Sequence, residues 1–139
     1  MSVSHFILSS ACIGIANTII EWLFIGFLFH KYQALTPQTW RTENYVSYIY
    51  STLLSLLFGI IFTFFYIKIG SRYIMSGNIW SACKLGLICF AGFTFISELG
   101  NAIYTNYDKK FLVGKLIATC LSYMSAAIIA GFFYSWHCE

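Results

Sequence analysis

Four long apolar segments, separated by short polar stretches, restrict what this chain can fold into more than any other feature. They run from about His5 to Phe29, Tyr45 to Ile69, Ile79 to Tyr104 and Phe111 to Trp136. Each exceeds the roughly 20 residues that an α-helix needs to cross a hydrocarbon core about 30 Å thick. We therefore predict four membrane-spanning helices, named here the first to fourth spans in chain order.

The composition agrees with this prediction. Of the 139 residues, 59% are hydrophobic and only 9% are charged, so the apolar surface is too extensive for one soluble core. The predicted fold class is all-α: a transmembrane four-helix bundle with up-down-up-down topology, forming a single integral membrane domain over residues 1–139. The amino terminus lacks the basic region of a signal peptide, so we expect the first span to be retained.

Basic residues are distributed unevenly between the two predicted membrane faces. The face that carries the first and third loops holds Lys31, Arg41, Lys109, Lys110 and the slightly inset Lys115, against Lys68, Arg72 and Lys84 on the other face. The face richer in Lys and Arg is normally cytoplasmic. We therefore predict that loops 30–44 and 105–110 lie in the cytoplasm and that both termini lie outside.

Three ionisable residues lie inside the predicted spans at similar depths from the face of these two loops. At about 1.5 Å of rise per residue, Glu98 is roughly 9 Å, Lys115 roughly 6 Å and Glu21 roughly 12 Å from the end of its span. A charge deep in hydrocarbon costs at least about 2.5 to 3.5 kcal/mol on insertion scales. We predict that Glu98 and Lys115 pair, with Glu21 neutral or sharing Lys115.

The candidate site residues are Glu21, Asn17, Glu98, Lys115 and Asn101. In a structural interpretation, these groups only hold helices together, or Lys115 extends to the interface. In a functional interpretation, Glu21 is the centre of a proton- or cation-responsive site, because apolar surroundings disfavour the charged form of a carboxyl group. Asn17 supports that assignment, since it lies one helical turn before Glu21.

Two further segments have structural interpretations. The second span carries no charge before Lys68, and we interpret it as structural. In the fourth span, Ser122, Ala126 and Ala130 recur every four residues, which permits close approach of a neighbouring helix, although chance spacing explains the pattern nearly as well. Cys12, Cys83 and Cys138 lie toward one predicted face, where oxidising conditions would permit a disulfide.

The sequence contains no constellation typical of an enzyme or a metal site. There is no Ser-His-Asp order, no phosphate-binding glycine loop and no cluster of metal-ligand spacing, and the basic residues form no run suited to nucleic acid. We expect no catalytic residues, metal, cofactor or nucleic-acid partner. A lipid-modifying enzyme with Glu98 or Glu21 as general acid is a third-ranked hypothesis, because neither has a histidine nearby in the sequence.

The second half of the chain ends its third span with Asn101-Ala-Ile-Tyr104, continues through Tyr107-Asp108-Lys109-Lys110, and closes a Gly/Ala-rich fourth span on Trp136. The first half carries Glu21-Trp22-Leu23-Phe24 and a later Trp40-Arg41. These features resemble a family of small four-span bacterial membrane proteins of unknown function. The resemblance implies the four-span plan and a bacterial cytoplasmic membrane, but Glu98 stands where that family would have a more neutral residue.

Two functional hypotheses follow. The first is a non-enzymatic membrane protein that binds a lipid or hydrophobic ligand, or that serves as a subunit of a homo-oligomer or of an assembly with another membrane protein. The second is a dimeric, proton-coupled exporter of small lipophilic cations with Glu21 as the proton site, which is similar to small multidrug transporters in having four spans and a first-span Glu. The long loop from His30 to Asn44 argues against the second hypothesis.

Overall fold

The computed structural model describes residues 1–40, 44–70, 79–106 and 108–135. Within these ranges the regular elements are helices, and four of them are long and apolar enough to cross a membrane: Val3–Leu28, Tyr45–Gly70, Ile79–Tyr104 and Lys109–Ser135. The predicted all-α, four-helix transmembrane fold is confirmed. Arg41 in the first loop, the segment 71–78 with Arg72, and the predicted end of the fourth span at Trp136 lie outside the described residues.

Polar side chains explain where the spans begin. Asn44 Oδ1 accepts the Ser47 backbone N–H at 2.9 Å, and Asp108 Oδ1 accepts the Lys110 N–H at 2.9 Å. These contacts satisfy amide groups that the first turn of a helix leaves without a partner. The fourth span therefore begins two residues before its predicted position, because the Asp108 cap brings Lys109 and Lys110 into the first turn, and the second begins at the predicted Tyr45. The first span also begins two residues early, at Val3, where Ser2 Oγ accepts the His5 backbone N–H at 3.3 Å.

Three spans change from α- to π-helical hydrogen bonding along their length. The π-helical segments are Trp22–Leu28, Tyr66–Gly70 and Phe90–Phe95. Such segments widen a helix by one residue per turn and shift the side chains that follow. The first of them begins directly after Glu21, so the helix changes its geometry at the candidate site residue.

The loop after the first span folds back onto the fourth span. It contains a short helix, His30–Gln33, and a 3₁₀ turn, Pro37–Thr39, whose first residue is the proline, as the fixed φ angle of proline favours. The Trp40 ring meets the Phe111 ring edge-on, with centroids 4.7 Å apart, and the Phe29 ring lies where Gly114 leaves room for it. The first span and its loop are therefore held against the start of the fourth span.

The first span packs along both the second and the fourth spans, while the third span packs mainly against the fourth. Small residues permit these contacts. A Cβ atom on Gly59 would collide with the Ser10 carbonyl oxygen, and one on Gly86 would lie 2.7 Å from the Met124 Cα. Close backbone approach at small residues is the usual means by which helices associate in lipid.

The bundle is closed in one half and open in the other. In the first, second and third spans, the buried residues lie in the half nearer the chain termini, and none lies within 18–28, 45–54 or 90–104. The fourth span carries buried residues along its whole length, including Ser122, Ala126 and Ala130, as the small-residue stripe predicts. The other three spans are thus less enclosed toward the face that carries the first and third loops, and two of the cavities described next lie in this half.

Candidate functional site

The open half of the bundle contains a polar cavity of about 530 Å³, named here the polar chamber. All four spans contribute to its wall. Ten of its twelve lining residues are polar, eight of them with hydroxyl groups: Asn17, Glu21, Ser47, Tyr50, Ser51, Ser55, Thr94, Thr119, Ser122 and Tyr123, with the apolar Leu54 and Phe58. A wall of this composition suits a polar or charged group better than a hydrocarbon chain.

The second span supplies more of this wall than any other span, although its sequence is interpreted above as structural. Ser47, Ser51 and Ser55 recur every four residues and therefore share one face of the helix. Seven of the eleven residues from Tyr45 to Ser55 carry a hydroxyl group. That enrichment is the signal in the sequence that the first half of this span lines a cavity.

Asn17 links the first and second spans at the inner end of the chamber. Its Nδ2 donates a hydrogen bond to Ser55 Oγ at 2.9 Å, and both side chains are buried. Glu21 lies one turn further along the helix, where the two side chains are close enough to interact. Asn17 therefore links the two spans next to the carboxylate of Glu21.

We expect the Asn17–Ser55 contact to contribute about 0.6 kcal/mol to the stability of the folded protein, the average for hydrogen bonds between membrane helices. A double-mutant cycle with Asn17→Ala and Ser55→Ala measures it, with unfolding followed in mixed micelles. A coupling energy of zero would mean that the two side chains are adjacent without stabilising the span contact.

The predicted ion pair between Glu98 and Lys115 is confirmed. Lys115 Nζ lies 2.7 Å from Glu98 Oε2, and the two side chains are 26% and 13% exposed. That oxygen makes no hydrogen bond of regular geometry among the described residues, so the contact is an attraction between two charges. Lys115 is also close enough to Glu21 for their charges to interact. Its positive charge therefore acts on two carboxylates, Glu98 and Glu21.

The charges of this cluster do not cancel. Glu21, Glu98 and Lys115 together carry one negative charge in excess when all three are ionised. An uncompensated charge is costly in a site of low dielectric constant. A proton or a bound cation would remove the excess, and Glu21, which lines the chamber, is the carboxylate that either can reach.

A second cavity, named here the loop-side cavity, has a volume of about 460 Å³ and extends toward the loop that follows the first span. Its lining residues are Thr18, Glu21, Trp22, Ile25, Gly26, His30, Gln33, Tyr48, Ser51 and Thr52. Glu21 and Ser51 line both this cavity and the polar chamber. The carboxylate therefore stands at the boundary between the two volumes.

A third cavity, the apolar pocket, adjoins the polar chamber on the side of the third span. It measures about 220 Å³ and is lined by Phe58, Ile61, Phe62, Phe65, Cys89, Phe93 and Tyr123. Phe58 and Tyr123 belong to both walls. The Tyr123 hydroxyl accepts a hydrogen bond from Thr94 at 2.9 Å. The Tyr123 ring makes T-shaped contacts with the Phe58 and Phe62 rings.

One buried hydroxyl in the chamber wall has no hydrogen-bond partner among the described residues. Ser122 is 2% exposed and lines the polar chamber, and its Oγ is unpaired. A buried polar atom left without a partner costs roughly 1 to 3 kcal/mol. The oxygen itself is buried, so Ser122 adds an uncompensated polar atom behind the surface of the chamber.

The remaining candidates lie elsewhere. Asn101 is exposed and lines none of these three cavities; its carbonyl oxygen accepts the Thr105 N–H at 2.8 Å. Cys12 and Cys83 carry free thiols, so the disulfide considered between them is not formed, and Cys138 lies outside the described residues. Among the described residues, no three His, Cys, Asp or Glu side chains are grouped as a metal site would require.

The chain matches no protein-family model, no curated protein and no solved structure. The geometry and chemistry of the cavities are therefore the basis for any functional assignment.

Proposed function

We propose that this multi-pass membrane protein binds an amphiphile whose head group is cationic, with the head in the polar chamber and the hydrocarbon part in the apolar pocket. The observation that carries the proposal is the shared wall of Phe58 and Tyr123, through which a hydroxyl-lined volume with one carboxylate adjoins an aromatic one. The chamber volume of about 530 Å³ lies within the range typical of small-molecule sites.

The excess negative charge of the cluster supports a cationic head group. An ammonium group next to Glu21 would supply the missing positive charge, and the hydroxyl oxygens of the chamber wall would stabilise it. A head group with N–H bonds would also donate charge-assisted hydrogen bonds, which are roughly twice as strong as those between neutral groups, whereas a quaternary ammonium would be held by the attraction of the charges. An anionic amphiphile would add a second excess negative charge and is expected to be rejected.

The binding test uses radiolabelled decyltrimethylammonium and the purified protein in nanodiscs of zwitterionic lipid. Glu21→Gln preserves the shape of the side chain and removes its charge, and we expect it to weaken binding by about tenfold or more, the equivalent of about 1.4 kcal/mol. Decyl sulfate should not compete with the probe.

Asp108→Asn is the matched control, because it also removes one carboxylate. Asp108 caps the fourth span and lines none of the three cavities, and asparagine caps a helix about as well as aspartate does. Its binding should stay within about twofold of the parent protein. Equal affinity of the parent and Glu21→Gln proteins, or equal binding of the anionic probe, would contradict the proposal.

A second candidate function is proton-driven export of lipophilic cations. It is favoured by one specific observation, the position of Glu21 at the boundary between the polar chamber and the loop-side cavity. A single carboxylate that binds either a proton or a cation couples their movements if it is exposed to each side in turn. Export would need this carboxylate to gain access to the opposite face as well.

Proteoliposomes with an imposed pH gradient test export directly. Uptake of tetraphenylphosphonium that depends on the gradient, is lost in Glu21→Gln and persists in Asp108→Asn would support it. Other titratable or charged groups lie around the carboxylate: Lys115, His30, Tyr48, Tyr50 and Tyr123. Because Lys115 carries a positive charge, the Lys115→Met protein is measured in the same assay. Binding of the cation without gradient-driven uptake would contradict export and would be consistent with the amphiphile-binding function.

We further propose that the protein resides in a bacterial cytoplasmic membrane with loops 30–44 and 105–110 on the cytoplasmic side. The excess of Lys and Arg in these loops supports this orientation. The open half of the bundle would then face the cytoplasm. A reporter enzyme that works only in the cytoplasm should be active when it is fused after Asn106, and one that works only outside should be inactive. The opposite result would mean that the orientation is reversed.

A further inference from the structure

We infer that the loop-side cavity is a water-filled vestibule through which small organic ammonium ions reach Glu21 from the loop face, without passing through the lipid. The inference rests on the proposed function for the identity of the ligand, but the route itself is testable separately. Its basis is the position of the cavity, the chemistry of its wall and the charge at its inner end.

The position of the cavity connects the membrane surface with Glu21. Its outer residues, His30 and Gln33, belong to the short helix that follows the first span, and Glu21 lies at its inner end. His30 follows Glu21 by nine positions, roughly two turns of the largely π-helical segment between them. The cavity thus covers the distance between the loop and the depth of the carboxylate.

The wall of the cavity offers oxygen lone pairs. Thr18 Oγ1 donates its proton to the Gly14 carbonyl at 2.9 Å, and Thr52 Oγ1 donates to the Tyr48 carbonyl at 3.0 Å. Because each hydroxyl proton is used within its own helix, the threonine oxygens can act toward the cavity only as acceptors. These two hydroxyls stabilise water and cations and give no hydrogen bond to an anion. The same wall carries the N–H groups of Trp22, His30 and Gln33, so the preference for cations depends mainly on the charge at the inner end.

The charge at the inner end adds selectivity. Glu21 lies in the walls of both the loop-side cavity and the polar chamber, while Lys115, the cation near it, is paired with Glu98 at 2.7 Å. A cleft with one sign of charge and walls of low dielectric constant raises the local concentration of oppositely charged solutes. Cations should therefore enter the vestibule faster than anions of the same size.

Cysteine accessibility tests the route. Ser51→Cys places a thiol at the boundary of the two cavities, and Thr52→Cys places a second one within the vestibule wall. The control is Leu53→Cys on the same helix, which is 55% exposed and lines neither cavity. All three lie on the tryptic peptide 42–68, which contains no natural cysteine, so mass spectrometry reports each modification separately.

The reagents are a water-soluble trimethylammonium-ethyl thiosulfonate and its anionic sulfonate-ethyl counterpart, applied to the protein in nanodiscs. We expect both vestibule thiols to react with the cation at least about tenfold faster than Leu53→Cys, and about tenfold faster with the cation than with the anion. Adding Glu21→Gln should abolish the preference for the cation while the thiols stay reactive.

Reaction of Ser51→Cys and Thr52→Cys no faster than Leu53→Cys would overturn the vestibule, because the cavity would then be filled by lipid. Equal rates for the two reagents in the parent background would overturn its cation preference. The outcome is distinguishable from failure of the proposed function: fast, charge-selective labelling in a protein that does not bind decyltrimethylammonium retains the vestibule and removes the amphiphile site.

Discussion

Replacing Lys115 by methionine is expected to destabilise the folded protein by about 2 to 3 kcal/mol. The substitution leaves Glu98 without the cation that lies 2.7 Å from it and removes the positive charge near Glu21. Equilibrium unfolding in mixed micelles measures the effect. Glu98→Gln in the Lys115→Met background should restore part of the loss, since the amide needs no counter-charge.

Lys84→Met is the matched control for Lys115→Met. Lys84 is an exposed lysine in the third span, and its long side chain can reach the interface, so we expect its replacement to change the free energy of unfolding by no more than about 0.5 kcal/mol. Similar losses for the two lysine variants would show that the ion pair contributes nothing specific. A double-mutant cycle of Lys115→Met and Glu98→Gln would then give no coupling energy.

Gly59→Ala is expected to destabilise the protein by about 1 to 3 kcal/mol, the usual cost of extra volume in a well-packed interior. The added methyl group would collide with the Ser10 carbonyl oxygen and would approach the Gly14 nitrogen to 3.0 Å. Both neighbours are backbone atoms, so the first and second spans must separate to accommodate it. The chamber wall at Asn17 and Ser55 would be displaced together with them.

Gly100→Ala is the control for Gly59→Ala, because a Cβ atom at Gly100 meets nothing within 4 Å. Both substitutions raise helix propensity by about 1 kcal/mol, and their difference isolates the collision. Thermal unfolding in detergent should place Gly59→Ala well below the parent protein and Gly100→Ala at or above it. The reverse order would mean that the first and second spans are not in close contact at Gly59.

The spans and the ion pair were predictable from the sequence. Each follows from counting residues along a short segment, either the length of an apolar stretch or the distance of a charged residue from the end of its span. An apolar segment of sufficient length must form a helix in lipid, where backbone groups have no other partners. The depth of a residue follows from the rise per residue. Glu98 and Lys115 lie on consecutive antiparallel helices at similar depths, and for a pair of this kind the count of residues was enough.

The cavities were not predictable by such counts, because they depend on how the spans pack against one another. Hydropathy is the same for a serine that packs against a neighbouring helix and one that lines a cavity, so it could not show that Ser47, Ser51 and Ser55 line the polar chamber. The π-helical segment after Glu21 also has no marker in the sequence, since its residues are ordinary apolar ones. The position of Glu21 between two cavities therefore required the structure.

The central claim is that an amphiphile binds with its cationic head group beside Glu21 and with its hydrocarbon part in the apolar pocket. Photoaffinity labelling tests it most directly, with two alkylammonium probes that carry a diazirine either at the head or at the end of the chain. We predict that the head probe modifies Glu21 and that the chain probe modifies residues around Phe62 and Phe93, with both labels lost in Glu21→Gln. Labels confined to outward-facing residues such as Ile19 and Leu53, and unchanged in Glu21→Gln, would contradict the account.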